Sequence, residues 1–388
     1  MNFDYSPEQI EGLEAFSKLC AERIAPFAKE MDQAPFPVTV ARLRENLARL
    51  AEFGYLGLTH PTQDGGGGRT HVESVAYMEI LCRACPSTFL SAGASVGLFG
   101  TPIRVFGTEA QKKKFVPALI SGKLIGSLGL TEPDCGTDLL SIKTRARKEG
   151  GRWILNGSKT FITNAPICDA ALVLAKIFSD GQEQGTGLFL VERGAPGFST
   201  SGPLEKMGYH GSPTGELIFD DCSIPEDAIV GEPGKGMAAA MRALDFGRVG
   251  MSAGAVGIAQ ACIELSIKYA NERKAFGQKI FKFQEVGFKI ADMRMLIDAG
   301  QNLTAYAAWL LDLHDPQADA VGRCAKVFTT EAATKISSWA VQIHGGYGYM
   351  SDYAVERLYR EAKLGEIGEG TNEIHRVLIA KDCLERWA

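Results

Sequence analysis

The sequence predicts an α+β protein in which a central β domain lies between two helical parts. Three observations predict this fold class. Hydrophobic residues recur at helical spacing up to about residue 120, short apolar segments separated by turn residues follow to about residue 232, and long helical segments with few breaks make up the rest. We therefore expect an N-terminal helical domain at 1–120, a middle β domain at 121–232 and a C-terminal four-helix bundle at 233–388.

The N-terminal part consists of helical segments separated by short breaks. In ARLRENLARLAEFGYLGL, the apolar residues Leu43, Leu47, Leu50 and Phe53 fall on one helical face. The next break, PTQDGGGGRT, is rich in glycine, but no Gly-Lys-Ser/Thr sequence follows it, as a phosphate-binding loop requires. We interpret it as a flexible loop.

The middle part has the pattern of a compact β domain. Its short segments LIGSLGL, RWILNG, KTFIT, AALVLAKIF, TGLFLVE and GELIFDDCSI alternate with turn residues and contain many β-branched side chains. The pair Asn156-Gly157 follows one of them directly and predicts a β-hairpin turn.

The C-terminal part is helical again, and its segments are long. Its apolar spacing alternates between four and three residues, which is typical of packed helices. Small residues in GMSAGAVGIAQA would let neighbouring helices approach closely, as in a four-helix bundle. The residues that follow this spacing are Met251, Ala255, Ile258, Cys262 and Leu265, then Val286, Ile290, Met293 and Ile297.

Composition and charge exclude several classes of function. The formal charge is −5 without long runs of one sign, so neither nucleic acid nor an anionic membrane is expected as a partner. No uninterrupted apolar run reaches the roughly 18 residues that a membrane span needs, so no membrane insertion is expected. The first residues carry two acids and no basic segment, unlike a signal peptide, and we expect a cytoplasmic protein.

Cysteine and histidine do not indicate a metal site. Nine cysteines are scattered along the chain, and Cys82 and Cys85 form a CxxC pair without a second pair at zinc spacing. The six histidines do not cluster in sequence. We expect no metal, and we interpret the CxxC pair as small apolar residues on a helix.

Two segments of the β domain carry groups that suit a flat or phosphate-bearing ligand. In LGLTEPDCGTD, Thr131, Gly136 and Thr137 can offer amides and hydroxyls in a turn, although a capped turn has the same residues. In KTFITNA, Phe161 and Thr163 are two residues apart and are expected on one face of a strand. There they could stack on a ring and bond its edge, or belong to an ordinary half-buried strand.

Two segments of the helical part suit an anionic ligand. Arg273 in NERKAFGQKIFKFQ could hold a pyrophosphate by two hydrogen bonds, or remain a solvated surface side chain. We expect the pair Phe276-Gly277 to end the preceding helix. In QIHGGYGYM, Gly345 and Gly346 would permit close backbone approach to a ligand or another subunit, or would simply cap the helix.

The segment GEIGEGTNEIHR joins two helices near the C-terminus. Thr371 or Asn372 is a natural N-cap for the last helix, and Glu373 places charge at its favourable end. Between Gly368 and Gly370, Glu369 would project from this helix–turn–helix joint.

Taken together, these motifs resemble those of the acyl-CoA dehydrogenase flavoprotein family. LTEPDCGTD, KTFITN, ERKAFGQKI, QIHGGYGY and EGTNEI occur in the family's order and at similar separations, and the resemblance covers the whole chain. The short-chain and branched-chain acyl-CoA dehydrogenases are the most similar members. The resemblance implies an N-terminal helical domain, a central β-barrel-like domain and a C-terminal four-helix bundle, with FAD between the last two.

The resemblance also implies a set of cofactor contacts. Leu130 and Thr131 would meet the flavin edge, Thr137 the pyrophosphate, and Phe161, where many members have Trp, would cover the ring with Thr163. Arg273 and the segment 342–346 would reach the FAD of a neighbouring subunit, which implies a homo-oligomer, usually a tetramer. The implied cofactor-binding residues are Leu130, Thr131, Thr137, Phe161, Thr163, Arg273, Phe276, Gln284, Gln342, Gly345, Gly346, Thr371 and Glu373.

The implied reaction is α,β-dehydrogenation of an acyl-CoA thioester. Glu369 matches the family's base, which removes the α-proton while the β-hydrogen passes as a hydride to flavin N5. Such a base needs a desolvated site and a raised pKa, because the α-proton of a thioester is weakly acidic. In the family, the amide of the base residue and a flavin ribityl hydroxyl polarise the thioester carbonyl. Electrons would pass to an electron-transferring flavoprotein.

Two positions distinguish this chain within the family. Isovaleryl- and long-chain-type members carry the base one residue before an arginine, where this chain has Gly247 before Arg248, so Glu369 is the candidate that remains. Many members have Tyr where this chain has Gly368, and the loss of that phenol would admit a branched or cyclic acyl group. By resemblance, Asp245 and Arg248 contact the CoA side of the substrate, and Gly368 and Gly370 belong to the substrate site.

Several alternatives remain open. The uncharged segment PSTFLSAGASVGLFG matches the family's acyl cavity and argues against a dicarboxylyl substrate such as glutaryl-CoA. An acyl carrier protein thioester could replace CoA, and enoyl reduction or oxygen-dependent chemistry can occur on the same scaffold. The acidic charge balance argues against a non-catalytic, FAD-containing relative associated with nucleic acid.

Overall fold

The computed structural model describes residues 5–387, which form a helical part, a β-sheet and a second helical part in that order. Ser6 and Thr108 cap the first and last helices of the N-terminal part, each in a capping box with a glutamine three residues later. A π-helical segment, Gly93–Phe99, joins two of these helices into one apolar rod. The helices are α1 (Pro7–Arg23), α2 (Ala28–Gln33), α3 (Phe36–Phe53), α4 (His71–Ala84), α5 (Pro86–Ala92), α6 (Gly100–Phe106) and α7 (Glu109–Ile120).

The middle part is an eight-stranded sheet. The strands are β1 (Gly126–Gly129), β2 (Arg145–Glu149), β3 (Arg152–Thr163), β4 (Ala170–Ser179), β5 (Gln182–Glu192), β6 (Phe198–Thr200), β7 (Thr214–Pro225) and β8 (Ile229–Gly234). Their order is β6-β7-β3-β2-β4-β5-β8, and β1 and β2 pair in parallel with successive halves of β4. The remaining pairs are antiparallel. The apolar run of β4 follows from its position, because both of its faces are buried.

The prediction of a hairpin at Asn156-Gly157 is wrong. Both residues lie inside the continuous strand β3, where the pairing with β7 shifts register and Gly157 has a φ of +139°. The Asn156 side chain exchanges two hydrogen bonds with Asp221 on β7, each 3.0 Å long. The pair therefore forms a β-bulge, and the chain turns instead at Gly150 and Gly151, which both have positive φ.

The C-terminal part consists of three long helices, α8 (Gly236–Glu272), α9 (Gln284–Asp312) and α10 (Ala318–His344), followed by α11 (Ala354–Ala362) and α12 (Asn372–Trp387). The expectation that Phe276-Gly277 ends a helix is wrong. Helix α8 ends at Glu272, and the pair forms the turn of a small hairpin between β9 (Lys274–Ala275) and β10 (Gln278–Lys279). Both turn residues have positive φ, +50° and +78°, as a two-residue hairpin turn requires.

Shared hydrophobic cores connect the three parts. One core packs α1, α3, α4 and α5 against α8, α10 and α11. A second packs α6 and α7 against β1, β4, β5 and the first turns of α8, and a third fills the opposite face of the sheet. Helix α8 contributes to both of the first two cores, so it fixes the β-sheet relative to the helical bundle.

Two helical stretches are long and apolar enough to cross a membrane, Pro86–Phe106 and Gly236–Glu272. In the most apolar 18-residue window of each stretch, 56% and 67% of the window, respectively, is buried inside the protein. Core helices of water-soluble proteins pass the same test of length and composition, so these two stretches are weak evidence for a membrane span.

Candidate active site

Glu369 lies in the joint between α11 and α12, as the sequence indicated. A short 3-10 turn, Lys363–Glu366, follows α11, and then Glu369 and Gly370 adopt positive φ values of +55° and +94°. The Thr371 hydroxyl accepts a hydrogen bond from the amide of Ile374 (3.3 Å), so Thr371 is the N-cap of α12. A positive φ is uncommon for a residue other than glycine, and it turns Glu369 out of the path of both helices.

The carboxylate of Glu369 is packed against Gly247 on α8. A Cβ atom at position 247 would lie 2.1 Å from Oε2 of Glu369, so only glycine leaves room for the carboxylate. Oε2 is buried and has no hydrogen-bond partner within the described residues. The structure thus brings the candidate base to Gly247, the position at which, by the resemblance, isovaleryl- and long-chain-type acyl-CoA dehydrogenases carry theirs.

Burial raises the pKa of Glu369 to about 7, while the positive charges of Arg248 and Lys326 act in the opposite direction. A carboxyl group with this pKa can take up a proton near neutral pH and release it again. An unpartnered buried carboxylate costs folding free energy, and such groups are concentrated in active sites.

Arg248, predicted to contact the CoA side, is buried beside Glu369. Its Nη1 donates to Asp245 (3.0 Å) and to Asp319, and Asp319 also pairs with Arg323. Burial raises the pKa of Asp245, and Arg248 opposes that shift. The structure therefore brings Asp245 and Arg248 together, in a network of charges at the beginning of α8 and α10.

The sequence did not identify the side chains behind the joint. Lys326 on α10 is fully buried and donates to the carbonyl of Gly370 (2.7 Å) and to Oδ1 of Asn372 (2.9 Å). His375 donates from Nε2 to the carbonyl of Glu369 (3.1 Å). The sequence does contain a sign of Lys326: it is a single charged residue among small side chains on one face of a helix. These residues are Gly322, Ala325, Lys326, Thr329 and Ala333.

The two β-domain segments also lie side by side. The amide of Thr160 donates to the carbonyl of Thr131 (2.9 Å), and Nζ of the buried Lys159 donates to the carbonyl of Leu130 (3.0 Å). Lys159 also pairs with Glu132 at 2.7 Å, so a buried ion pair fixes the loop that holds Leu130 and Thr131.

The prediction that Phe161 and Thr163 share a face by simple strand alternation is wrong. The register of β3 against β7 shifts between Lys159 and Ile162, and Phe161 has a φ of +58°. Thr163 is half-buried, whereas 69% of Phe161 is exposed. The bulge thus presents the aromatic ring to the surface, where it is free to cover a flat ligand.

A second group of predicted residues lies at the far end of α8. Arg273, Gly345 and Gly346 line a cavity of about 550 Å³, together with Tyr347, whose ring lies 5.7 Å from the Arg273 guanidinium. Helix α10 ends at His344, and Gly345 has a φ of +59°, which confirms the predicted stop. Gln342 is exposed at the end of the same helix.

The remaining predicted residues lie on the surface near these groups. Phe276, 94% exposed, contacts Phe283 next to Gln284, the first residue of α9. Thr137 is exposed in the loop after β1, and Glu373 is exposed in the first turn of α12. The exposed ring of Phe161 and the backbone of the Leu130–Thr131 loop fit the flat ring of a cofactor. Arg273, in the separate cavity at the far end of α8, fits a pyrophosphate.

Comparisons with known proteins identify the family. The models of the acyl-CoA dehydrogenase N-terminal, middle and C-terminal domains match residues 6–123, 127–222 and 234–384. The chain is 40% identical to the probable acyl-CoA dehydrogenase YngJ of Bacillus subtilis, over 99% of this chain and 100% of that protein. It is 38% identical to the 3-(aryl)acrylate reductase of Clostridium sporogenes, over 97% of this chain and 99% of that protein.

Solved structures agree with this result. Butyryl-CoA dehydrogenase from Megasphaera elsdenii superposes with a TM-score of 0.92 at 35% identity, covering 99% of this chain and 100% of that one. An acyl-CoA dehydrogenase from Bacillus anthracis complexed with FAD gives 0.91 at 34% identity, covering 99% of this chain and 68% of that one. The chain therefore belongs to the acyl-CoA dehydrogenase family and is an FAD-dependent oxidoreductase, which confirms the predicted fold, enzyme class and cofactor.

Proposed function

We propose that this enzyme dehydrogenates a short, branched or cyclic acyl-CoA to the 2-enoyl-CoA, with Glu369 as the base that removes the α-proton. The observation that carries the proposal is the carboxylate of Glu369, whose Oε2 is buried against Gly247 and has no hydrogen-bond partner within the part of the chain that the structure describes. Its pKa of about 7 makes it a stronger base than an exposed carboxylate while leaving it ionised in a large fraction of molecules at neutral pH.

The remaining side chains would orient the two reactants. Leu130, Thr131, Phe161 and Thr163 would hold the flavin ring, and FAD would supply the hydride acceptor when bound. Arg248 and Asp245, joined by a 3.0 Å hydrogen bond, would meet the CoA side of the thioester. The backbone amide of Glu369 would donate to the thioester carbonyl, so one residue would both polarise the substrate and deprotonate it.

The acyl group would extend from Glu369 along one face of α8. Met251 and Gly254 lie one and two turns after Gly247, and they line a small internal cavity with Phe89 on α5. A Cβ atom at position 254 would lie 2.6 Å from the Phe89 ring, so Phe89 would close the groove at short depth. A short groove, together with the lack of a side chain at Gly368, favours a compact, branched or cyclic acyl group.

The proposed assembly is a homo-oligomer, with a tetramer as the expected state. The supporting feature is the cavity beside Arg273, which would accept the FAD of a neighbouring subunit. Phe288 and Met295 on α9 are each 61% exposed and would be covered by such a partner. The proposed electron acceptor is an electron-transferring flavoprotein.

The proposed function is tested by replacing the base. Glu369→Gln is expected to retain FAD and the yellow colour, and to abolish anaerobic bleaching of the flavin by acyl-CoAs that bleach the wild type. Glu264→Gln, an exposed carboxylate on α8 paired with Arg83, is the matched control and should bleach normally. Persistent bleaching by Glu369→Gln would show that another group is the base.

Enoyl reduction is the second candidate function, because the chain is 38% identical to a 3-(aryl)acrylate reductase. The same Glu369 would then return a proton to the α-carbon. Stopped-flow measurement of both directions with matched saturated and unsaturated thioesters separates the two candidates. Repeating the measurement with acyl carrier protein thioesters tests whether CoA is the carrier.

A further inference from the structure

We propose that Lys326 is a positioning residue for the base: its buried ammonium group holds the Glu369 joint in place from behind and keeps a positive charge beside the carboxylate. This inference rests on the proposed function of Glu369. Three features support it: the partners of Lys326, the backbone conformation of the joint and the charges that surround the joint.

The partners of the Lys326 ammonium group are neutral. Nζ donates to the carbonyl of Gly370 (2.7 Å) and to Oδ1 of Asn372 (2.9 Å), and the side chain is 0% exposed. A buried ammonium group is usually paired with a carboxylate, because neutral acceptors only partly offset the cost of its desolvation. Lys326 is therefore a costly group for folding, and its hydrogen bonds are directed to the segment that carries the base.

Two buried side chains hold the strained part of the joint. Lys326 bonds the carbonyl of Gly370, and His375 bonds the carbonyl of Glu369 (3.1 Å) from α12. Because a carbonyl only accepts, the proton of His375 lies on Nε2. A left-handed backbone is strained at a residue other than glycine, and such a conformation persists when its surroundings fix it.

Among the charged side chains that act on the pKa of Lys326, Glu369 has the largest effect. Arg248 on α8 lowers the pKa of Glu369 more than Lys326 does, but its guanidinium group is also bonded to two carboxylates, Asp245 and Asp319. Burial lowers the pKa of Lys326 to about 8, with Glu369 as the main opposing charge, so the group is still mostly protonated at neutral pH.

Other charged groups reach Lys326 and His375 from the elements that pack against them. Glu366 from the 3-10 turn and Glu373 from α12 act on Lys326, and Arg323 from α10 acts on His375. Burial lowers the pKa of His375 to about 4, so it contributes a neutral donor above that pH. Within the described residues, Lys326 is thus the positive group near Glu369 that has only neutral hydrogen-bond partners.

The test separates the position of the joint from the charge beside it. Lys326→Gln retains a side-chain donor but removes the charge, Lys326→Met removes both, and Asn372→Ala keeps the charge but removes one acceptor. Lys335→Met, an exposed lysine on the same helix, is the matched control. Each FAD-loaded variant is mixed anaerobically with an acyl-CoA that bleaches the wild type, and the rate of flavin reduction is measured from pH 6 to pH 9.5.

We expect the midpoint of the pH–rate profile to rise by on the order of one pH unit in Lys326→Gln and Lys326→Met, because a nearby positive charge that favoured the carboxylate is lost. Lys326→Met should also lose about tenfold or more in the limiting rate, since its joint is no longer held, whereas Asn372→Ala should lose rate without a shift in midpoint. The infrared band of the Glu369 carboxylic acid, assigned by its loss in Glu369→Gln, should show the same shift without substrate.

Unchanged midpoints in both Lys326 variants would overturn the inference, as would an equal shift in Lys335→Met. If Lys326→Met does not fold, Lys326→Gln alone decides the effect of the charge. Glu369→Gln is measured in parallel and keeps the two proposals distinguishable. Persistent bleaching in that variant contradicts the proposed function, whereas its loss together with wild-type profiles in the Lys326 variants contradicts only the role of Lys326.

Discussion

Three of the residues predicted for the site have a backbone conformation that side chains rarely adopt. Phe161, Phe276 and Glu369 have φ values of +58°, +50° and +55°. Their sequence contexts predicted a strand, a helix end and a joint. Phe161 does lie on a strand, β3, but a bulge interrupts the predicted alternation of its side chains. Phe276 lies in a hairpin turn rather than at a helix end. The residue types were identifiable from the motifs, but the conformations that expose two of these side chains and direct the third were not.

Gly247→Ala is expected to slow the reaction without destabilising the protein. An added Cβ would lie 2.1 Å from Oε2 of Glu369 and must displace the carboxylate. Alanine in a helix interior is otherwise favoured over glycine by roughly 1 kcal/mol, so the unfolding temperature should not fall. Anaerobic flavin reduction and thermal unfolding are the measurements.

Gly250→Ala is the matched control for this change. It lies three residues further along α8, and its added Cβ would meet only the Met78 sulfur at an ordinary 3.8 Å. Equal rates for the two alanine variants would contradict the view that the carboxylate of Glu369 needs the space that Gly247 leaves.

Gly368→Tyr is expected to shift the substrate preference toward unbranched acyl groups. A Cβ atom at position 368 would lie 3.4 Å from the carbonyl oxygen of Leu364 and 3.8 Å from its side chain, so the backbone tolerates a larger residue. The added phenol would narrow the pocket beside the reacting carbons. The kcat/KM ratio between branched or cyclic and straight acyl-CoAs should fall, with Gly368→Ala intermediate; a wild type that already prefers butyryl-CoA would contradict the proposal.

At the scale of elements, capping and hydrophobic spacing were better guides than dipeptide turn signals. The helix end at Gly345 was predicted from sequence, and the cap of α12 was predicted at Thr371 or Asn372, of which the structure has Thr371. Both features depend on local backbone groups. Asn156-Gly157 failed as a turn signal because the pairing of β3 with β7 continues through it. Lys326 was missed because the spacing of α10 shows which face is buried but not that Gly370 lies against it.

Thr371→Ala is expected to destabilise α12 and loosen the joint. The lost hydrogen bond to the amide of Ile374 (3.3 Å) leaves one of the first amides of the helix without a partner, which costs about 1 kcal/mol. Thr371→Ser keeps the hydroxyl and is the control. Denaturant unfolding should show the loss for alanine alone, and equal stability of the two variants would contradict the capping role.

At the scale of the whole molecule, the parts are held together by cores that cross their predicted boundaries. The order of helices, β-sheet and helices was predicted from composition and spacing, while the boundaries 1–120, 121–232 and 233–388 stay a prediction. The packing of α8 into two cores could not be predicted, because its apolar residues are spaced alike along its length. That packing brings Gly247 to the joint, so the site depends on a contact between distant segments.

Long-range packing also buries the carboxyl group of Glu361 on α11. It is 1% exposed, its Oε2 has no hydrogen-bond partner within the described residues, and Arg357 lies 3.8 Å away. Burial outweighs the attraction of Arg357 and raises the pKa of Glu361 to about 8. The neighbouring Arg360 bonds Asp32 of α2 (2.6 Å) and the carbonyl of Met207 (3.1 Å), so this charged cluster connects all three parts of the chain.

Glu361→Gln is therefore expected to stabilise the protein at alkaline pH. A pKa raised in the folded state means that the folded protein retains a proton which the unfolded chain releases near pH 4.5, so this group lowers the free energy of unfolding as pH rises toward 8. Glutamine does not titrate and removes that contribution. Thermal unfolding at fixed protein and FAD concentration should show the difference between variant and wild type growing from pH 5 to pH 8.5. A difference independent of pH would mean that Glu361 is ionised in the folded state, with Arg357 compensating for its burial.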